Sequence, residues 1–289
     1  MKKQKQILIV FLFFSLLVTS IFGQKKSSSL LWKIEGDSIQ TSYIFGTIHM
    51  LPQEDFLLKD KVKNAFNQAE TVYLELDMDG SNFMQDMMKY SMLEEGDELK
   101  SHMDSTEYVF LNQYMNKNVG VGLKQLNRFK PLSLTSMIMT TLMGKQLASY
   151  ELTFVNMVKE AEKELKGLET IESQIAVFDK IPYDEQIDDI IKMIKSPEDT
   201  KELYDNMIAL YKAEDITKLF ESMNDYFDND KDMMKSLLFD RNENWVKQIP
   251  QISKKKKVFY AVGAGHLGGD KGVVQLLKSA GYKVTPVFD

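Results

Sequence analysis

The 289-residue chain has no cysteine, three histidines and only two arginines among its 36 basic residues. The missing cysteine excludes disulfide staples, thiol nucleophiles, Cys-ligated metals and lipid attachment through an N-terminal cysteine. The metal ligands left are imidazole, oxygen and methionine thioether. Scarce arginine is informative in another way. Where lysine is the default cation, a guanidinium marks a planar, bidentate task such as gripping a carboxylate. Long apolar runs are scarce too. The run Ile7 to Val18 follows Lys2, Lys3 and Lys5 and precedes Thr19-Ser-Ile-Phe-Gly23. It is shorter than the roughly 20 apolar residues of a membrane span and reads as a secretory signal over residues 1–23. The expected product, residues 24–289, is exported: periplasmic, secreted or cell-surface, with membrane contact only if the leader is retained as an anchor. It carries 33 basic against 42 acidic residues, a formal charge of −9. That balance argues against nucleic acid and anionic membrane surfaces as partners.

Two of the three histidines share one local grammar. Ser42-Tyr-Ile-Phe-Gly-Thr-Ile-His49 and Val258-Phe-Tyr-Ala-Val-Gly-Ala-Gly-His266 each end a strand-like run in Gly-x-x-His. The spacing predicts two neighbouring strands of one sheet, each delivering an imidazole at its C-terminal edge. Gly46, Gly263 and Gly265 are read as structural, permitting a sharp turn or a close approach. The third histidine, His102, lies in a polar segment and is read as surface.

Leu30–Glu35 and Thr41–Phe45 flank Gly36-Asp37-Ser38 as a hairpin, followed by a helix over 59–69 and a strand over 71–77. Residues 81 to 250 read as mostly helical. Ile187, Ile190, Ile191 and Ile194 fall on one helical face, and a charged helix is expected over 160–166. Ser196-Pro197 marks a helix start, and Thr170 the N-cap of the helix from Ile171. The chain closes with a strand over 257–262, a helix over 272–280 with Gly281 after it, and a last strand over 282–288. The expected fold class is α/β: a mixed sheet formed by the N- and C-terminal segments, flanking helices, and a large central helical insertion at about 81–250. Eighteen methionines, several of them clustered, are read as flexible core filler or the lining of an apolar groove.

Gly263, Gly265 and Gly268 also satisfy G-x-G-x-x-G. The dinucleotide reading is set aside because the unit leaves no strands for a second half-fold and an exported protein meets little NAD. Glu75 falls inside the strand over 71–77, where a carboxylate is costly unless paired. Glu169 falls in the turn before the helix at Ile171. Two imidazoles with one or two carboxylates suit Zn, Mn, Co or Fe(II).

Taken in order, Gly46-Thr-Ile-His49, the Glu75 strand, Gly167-Leu-Glu-Thr170, Arg241-Asn-x-x-Trp245 and Gly263-Ala-Gly-His-Leu267 resemble the TraB/GumN family, which includes the Tiki proteases. The resemblance spans about residues 30 to 289. It implies an α/β fold related to the ChaN and erythromycin-esterase groups and, through the Tiki branch, divalent-metal-dependent peptide hydrolysis. On that reading His49 and His266 are metal ligands, with Glu75 or Glu169 completing a site for Mn, Co or Zn. The other glutamate is a general base, and Arg241 holds that glutamate or stabilises an oxyanion. The substrate is a peptide or protein, and a homodimer is left open. Two rivals stand beside it: a non-catalytic extracytoplasmic binder of peptide, metal or haem, and an esterase-like hydrolase using His and Glu without metal.

Overall fold

A computed structural model describes residues 28–144, 146–227 and 230–289; the expected leader lies outside the described residues. Strands β1 (Leu31–Glu35) and β2 (Ser42–Thr47) form the antiparallel hairpin expected around Gly36. Short β3 (Leu51–Pro52) pairs separately with β5 (Leu147–Ala148). β4 (Thr71–Leu74), β6 (Glu164–Gly167), β7 (Val258–Gly263) and β8 (Lys283–Pro286) complete a six-stranded mixed sheet ordered β6-β4-β7-β2-β1-β8. β6, β4, β7 and β2 run parallel, and β1 is antiparallel to both its neighbours. The two histidine-bearing strands are adjacent, with Gly46 opposite Val262 and Thr47 opposite Gly263.

β7 occupies the interior of the sheet because Val258-Phe-Tyr-Ala-Val is apolar on both faces, as a strand covered on both sides requires. Phe259 meets Phe45, Phe66 and Phe154, bringing α1 (Asp60–Gln68) and α2 (Tyr150–Glu160) against one face. The next residue, Tyr260, points the other way and donates its hydroxyl to the Ile249 carbonyl of α5 (Asp240–Ser253). Three further helices matter below only through the site: α3 (Ile171–Phe178), α4 (Ile216–Tyr226) and α6 (Val273–Ser279). Helix Tyr183–Lys195 buries the four isoleucines that its sequence spacing selects, in a second apolar cluster with Leu111, Leu134 and Ile138. Met115 and Met234 are core residues, whereas Met84 and Met88 are exposed, so the methionines divide between filler and surface.

Two expectations need correction. The chain does not continue as a charged helix over 160–166: α2 stops at Glu160, Glu162 adopts a left-handed φ of 51°, and Glu164–Gly167 becomes β6. Alternation explains it, since Leu165 is buried while Glu164 and Lys166 face solvent, and charges are well tolerated on an edge strand. The sheet is therefore not drawn only from the two ends of the chain. Ser196 does stand at the N-cap of helix Pro197–Lys212, but its side chain makes no capping bond. Thr170, by contrast, forms the reciprocal capping box with Ser173.

Away from the carboxyl edge of the parallel strands, a buried ion cluster ties distant segments together. Glu214 accepts from Lys59 Nζ and Lys61 Nζ, both at 2.6 Å, from Ser29 Oγ at 3.0 Å and from the Leu30 amide at 3.2 Å. Lys61 also reaches the Val287 carbonyl, and Lys59 the Asp289 side chain.

Candidate active site at the carboxyl edge of the parallel strands

Four parallel strands end on the same edge, and each is followed within three residues by a group that carries chemistry. His49 comes two residues after β2, Glu75 directly after β4, Glu169 two after β6 and His266 three after β7. Glu75 is thus not inside a strand, as the sequence reading has it, but the first residue beyond one. Open parallel sheets gather ligands at this edge because the loops diverge there. Backbone bonds extend the ladder past the formal strand ends: Leu168 N donates to Leu74 O and Glu169 N to Glu75 O. The two glutamates are thereby placed side by side.

Gly46 and Gly263 earn their positions by close approach. A Cβ on Gly46 would lie 2.7 Å from Leu267 Cδ1 and 3.0 Å from Ala264 Cα, so a side chain would push β2 away from the His266 turn. A Cβ on Gly263 would stand 3.3 Å from Glu75 Oε1, 3.6 Å from His266 Cδ2 and 3.8 Å from His49 Nε2. Three reactive side chains ring that one glycine. Gly265 instead makes room for Met223 of α4, which packs over the His266 turn.

Arg241 joins the remaining groups. It enters from the first turn of α5, directly after a π-helical segment, Lys235–Phe239, whose Leu237 carbonyl accepts from its Nη1. Such insertions re-aim side chains at functional sites. Its Nη2 meets Glu75 Oε2 at 2.6 Å and also pairs with Glu169 Oε1. Its Nε spans both Glu169 oxygens at 3.0 and 3.2 Å, and Nη1 lies 3.1 Å from His266 Nε2. The bidentate role expected of a rare arginine is thus a double one. Gln174 of α3 bridges the same carboxylates, at 2.9 Å to Glu75 and 3.1 Å to Glu169.

His266 is buried and its tautomer is fixed by neighbours. Asn242 Nδ2 donates to the Lys271 carbonyl, which turns its Oδ1 toward His266 Nδ1 at 2.6 Å. The ring proton therefore sits on Nδ1 and the Nε2 lone pair faces Arg241 and Glu75. Trp245 packs against the imidazole at 4.4 Å between centroids and under the Arg241 guanidinium at 5.0 Å. His49 is different. Its side chain is 67% exposed and rests on Glu151, whose Oε1 lies 2.9 Å from Nδ1. The loop beneath it is held by helix Pro197–Lys212, through Tyr211 to the Gly46 carbonyl and Tyr204 to the Met50 carbonyl. His102 lies elsewhere, hydrogen-bonded to Asp97.

Electrostatics separate the two glutamates. Burial works against the Glu75 carboxylate, but His266 when charged, Arg241, His49 and the Gly263 amide at 2.7 Å hold it far below the usual range, at about 2. Burial keeps His266 neutral, its pKa pushed down to about 3, so near neutrality Arg241, with His49 beyond it, supplies the positive charge that stabilises Glu75. Glu169 moves up, because burial and the charge of Glu75 outweigh its pairing with Arg241. For His49, crowding acts to lower the pKa, but the hydrogen bond and charge of Glu151, with Glu75 behind, raise it to about 9. Two carboxylates driven apart in this way form the pattern expected of an anionic anchor beside a proton-exchanging group.

The donor set fits a borderline divalent cation in kind: two imidazoles and a carboxylate, with His266 Nε2 and Glu75 Oε1 3.9 Å apart and His49 Nε2 turned to the same glycine. The arrangement is more open than a finished cage. Among the described residues no three such side chains are grouped closely enough to hold an ion, and the guanidinium lies against His266 Nε2. Loading would require Arg241 to withdraw from that nitrogen while keeping its carboxylates. Beside the Arg241–Glu169 pair, a cleft of about 440 Å³ opens between α3 and α5, with Leu168, Val177 and Trp245 on its apolar wall.

Sequence reasoning selects His49, His266, Glu75, Glu169 and Arg241, and the last four form one connected network. It misses Glu151, Gln174 and the role of Asn242. Asn242 and Trp245 stand in the Arg-Asn-x-x-Trp motif, so their signal was present. Glu151 looked like any acid in a helix's first turn.

The chain that carries this carboxyl-edge constellation is similar over most of its length to known proteins. Residues 30–286 match the TraB/PrgY/gumN family, and the chain belongs to it. Curated relatives include metalloprotease TIKI1 of Homo sapiens, 22% identical over 317 residues, covering 90% of this chain and 62% of that protein. The metalloprotease TIKI homolog of Nematostella vectensis is 23% identical over 326 residues, covering 90% and 67%. Metalloprotease TIKI1 of Danio rerio is 20% identical over 316 residues, covering 90% and 63%. The chain thus spans less than two thirds of the human and Danio proteins. No solved structure matches it significantly.

Proposed function

We propose that this protein is an exported, metal-dependent hydrolase that cleaves peptide bonds. The observation that carries the reading is the pairing of both Gly-x-x-His strands, which brings His49, His266 and Glu75 around Gly263. The names of its relatives support the metal and the peptide bond. The leader at residues 1–23 supports export, and no described helix is long and apolar enough to cross a membrane. His49, His266 and Glu75 would hold Mn, Co or Zn, which when bound supplies an acidified water and polarises the scissile carbonyl. Glu169, with its raised pKa, accepts the proton of the attacking water and returns it to the leaving amine. Arg241 keeps Glu75 anionic and fixes Glu169 in place. The cleft between α3 and α5 receives the chain beside the scissile bond.

A second reading has its own support. Arg241 already donates to His266 Nε2 while His49, held charged by Glu151, forms an imidazolium–carboxylate pair able to protonate a leaving group without metal, with Glu169 as the base. The fold kinship with erythromycin esterases that the family resemblance implies would favour that alternative. The test is metal content after incubation with Mn, Co and Zn, beside His49→Ala and His266→Ala, with peptide cleavage followed in the presence and absence of chelator. Near-stoichiometric metal lost in both variants, with chelator-sensitive cleavage, is expected. Cleavage that survives chelation but not His49→Ala selects the second reading. A protein that neither takes metal nor cleaves overturns both.

A further inference from the structure

We propose that Glu151 is the positioning residue for His49, fixing the proton on Nδ1 and aiming Nε2 at the space beside Gly263. The inference rests on the reading above for the importance of His49, but its geometry stands independently. Thr47 Oγ1 donates to Glu151 Oε1 at 2.6 Å and Ser149 Oγ to Oε2 at 2.9 Å, so both oxygens are held from outside the histidine. Thr47 ends β2 and Ser149 caps α2, so the carboxylate is anchored to sheet and helix at once. His49 Nδ1 then lies 2.9 Å from the doubly held oxygen.

Exposure makes this contact decisive. The Glu151 side chain is 13% exposed against 67% for His49, so packing cannot orient the ring and the hydrogen bond must. The other histidine uses the same device in a different medium. His266 Nδ1 meets the Asn242 amide oxygen, and its Nε2 also faces the centre. A neutral amide serves the buried imidazole, where an extra charge would be costly, and a carboxylate serves the open one. Ligating or proton-transferring histidines depend on such partners for tautomer and direction.

The experiment is ¹⁵N-histidine NMR of the protein, with His49 assigned through His49→Ala, in wild type, E151A and E151Q. The expected wild-type signature is a downfield, slowly exchanging proton on His49 Nδ1. E151A should lose it, whereas E151Q, whose amide oxygen can still accept, should keep it; His266 signals should stay put in both. In parallel, Co(II) affinity should fall about 10–100-fold in E151A and largely recover in E151Q. A wild-type His49 with a bare Nδ1 overturns the proposal without any variant, as does an unchanged Nδ1 proton in folded E151A. Should E151A not fold, loss of the proton in E151Q overturns it and retention upholds it. A wild type that takes no Co(II) removes the metal reading alone, and the proton signature still decides the role of Glu151.

Discussion

Arg241 holds two carboxylates and an imidazole with one guanidinium, so its removal exposes the balance of the site. In Arg241→Ala, Glu75 and Glu169 would face each other without their cation. Breaking a buried ion pair from one side costs about 3–5 kcal/mol, and urea denaturation at pH 7 should read a loss of that order. The pH dependence should also change sign. In wild type the Glu75 pKa is lowered from 4.5 to about 2, so its stabilisation is complete above 4.5 and disappears as pH falls toward 2. In the variant, burial and mutual repulsion raise the carboxylate pKa values above their unfolded values. Stability is then greatest below the unfolded pKa and falls as pH rises through the folded one. Denaturation midpoints that fail to fall in the variant between pH 4.5 and 8, where the wild-type Glu75 contribution is already complete, would contradict this account.

At the scale of elements, glycines around the His266 turn differ in what opposes a side chain. A Cβ at Gly265 meets the flexible end of Met223 at 2.3 Å, whereas one at Gly268 meets the Ile216 backbone oxygen at 2.2 Å. A thioether can swing aside; the N-terminus of α4 cannot. Gly268→Ala should therefore cost roughly 1–3 kcal/mol in thermal or chemical unfolding, and Gly265→Ala distinctly less. Equal costs would mean that α4 is not rigidly seated on this turn. The paired Gly-x-x-His strands were legible because an apolar run ending in glycine and histidine is a local pattern, and parallel pairing follows from its repetition. The Ile187–Ile194 stripe was legible for the same reason. β6 was not, since a four-residue edge strand with alternating charges resembles the end of a charged helix until β4 lies beside it. Glu151 was invisible for a related reason: 102 residues separate it from His49, and nothing near either announces the other.

Across the whole molecule, Glu214 fastens residues 28–30, α1 and the final strand's exit into one cluster. Burial opposes its charge, but Lys59, Lys61 and the Leu30 amide lower its pKa from 4.5 to about 2. Its contribution is thus present above pH 4.5 and lost as pH falls through about 2, on the order of 2–3 kcal/mol. Glu214→Ala should do more than acid does, because it strands the Lys61 ammonium, 4% exposed, without its counter-charge. A loss of about 3–5 kcal/mol at pH 7 is expected by urea denaturation, and an unchanged midpoint would show that the cluster fastens nothing.

The position of β7 has a consequence for how the protein comes into being. This strand lies between β2 and β4, yet its partners were laid down roughly two hundred residues earlier. Until it is in place, β2 and β4 have no shared neighbour, His49 has no His266, and the Gly263 amide is not there to donate to Glu75. Closing so long a loop is slow and is rewarded only when the strand slots in. The unfinished chain therefore carries every early motif without assembling the candidate site, which comes together with the insertion of one strand.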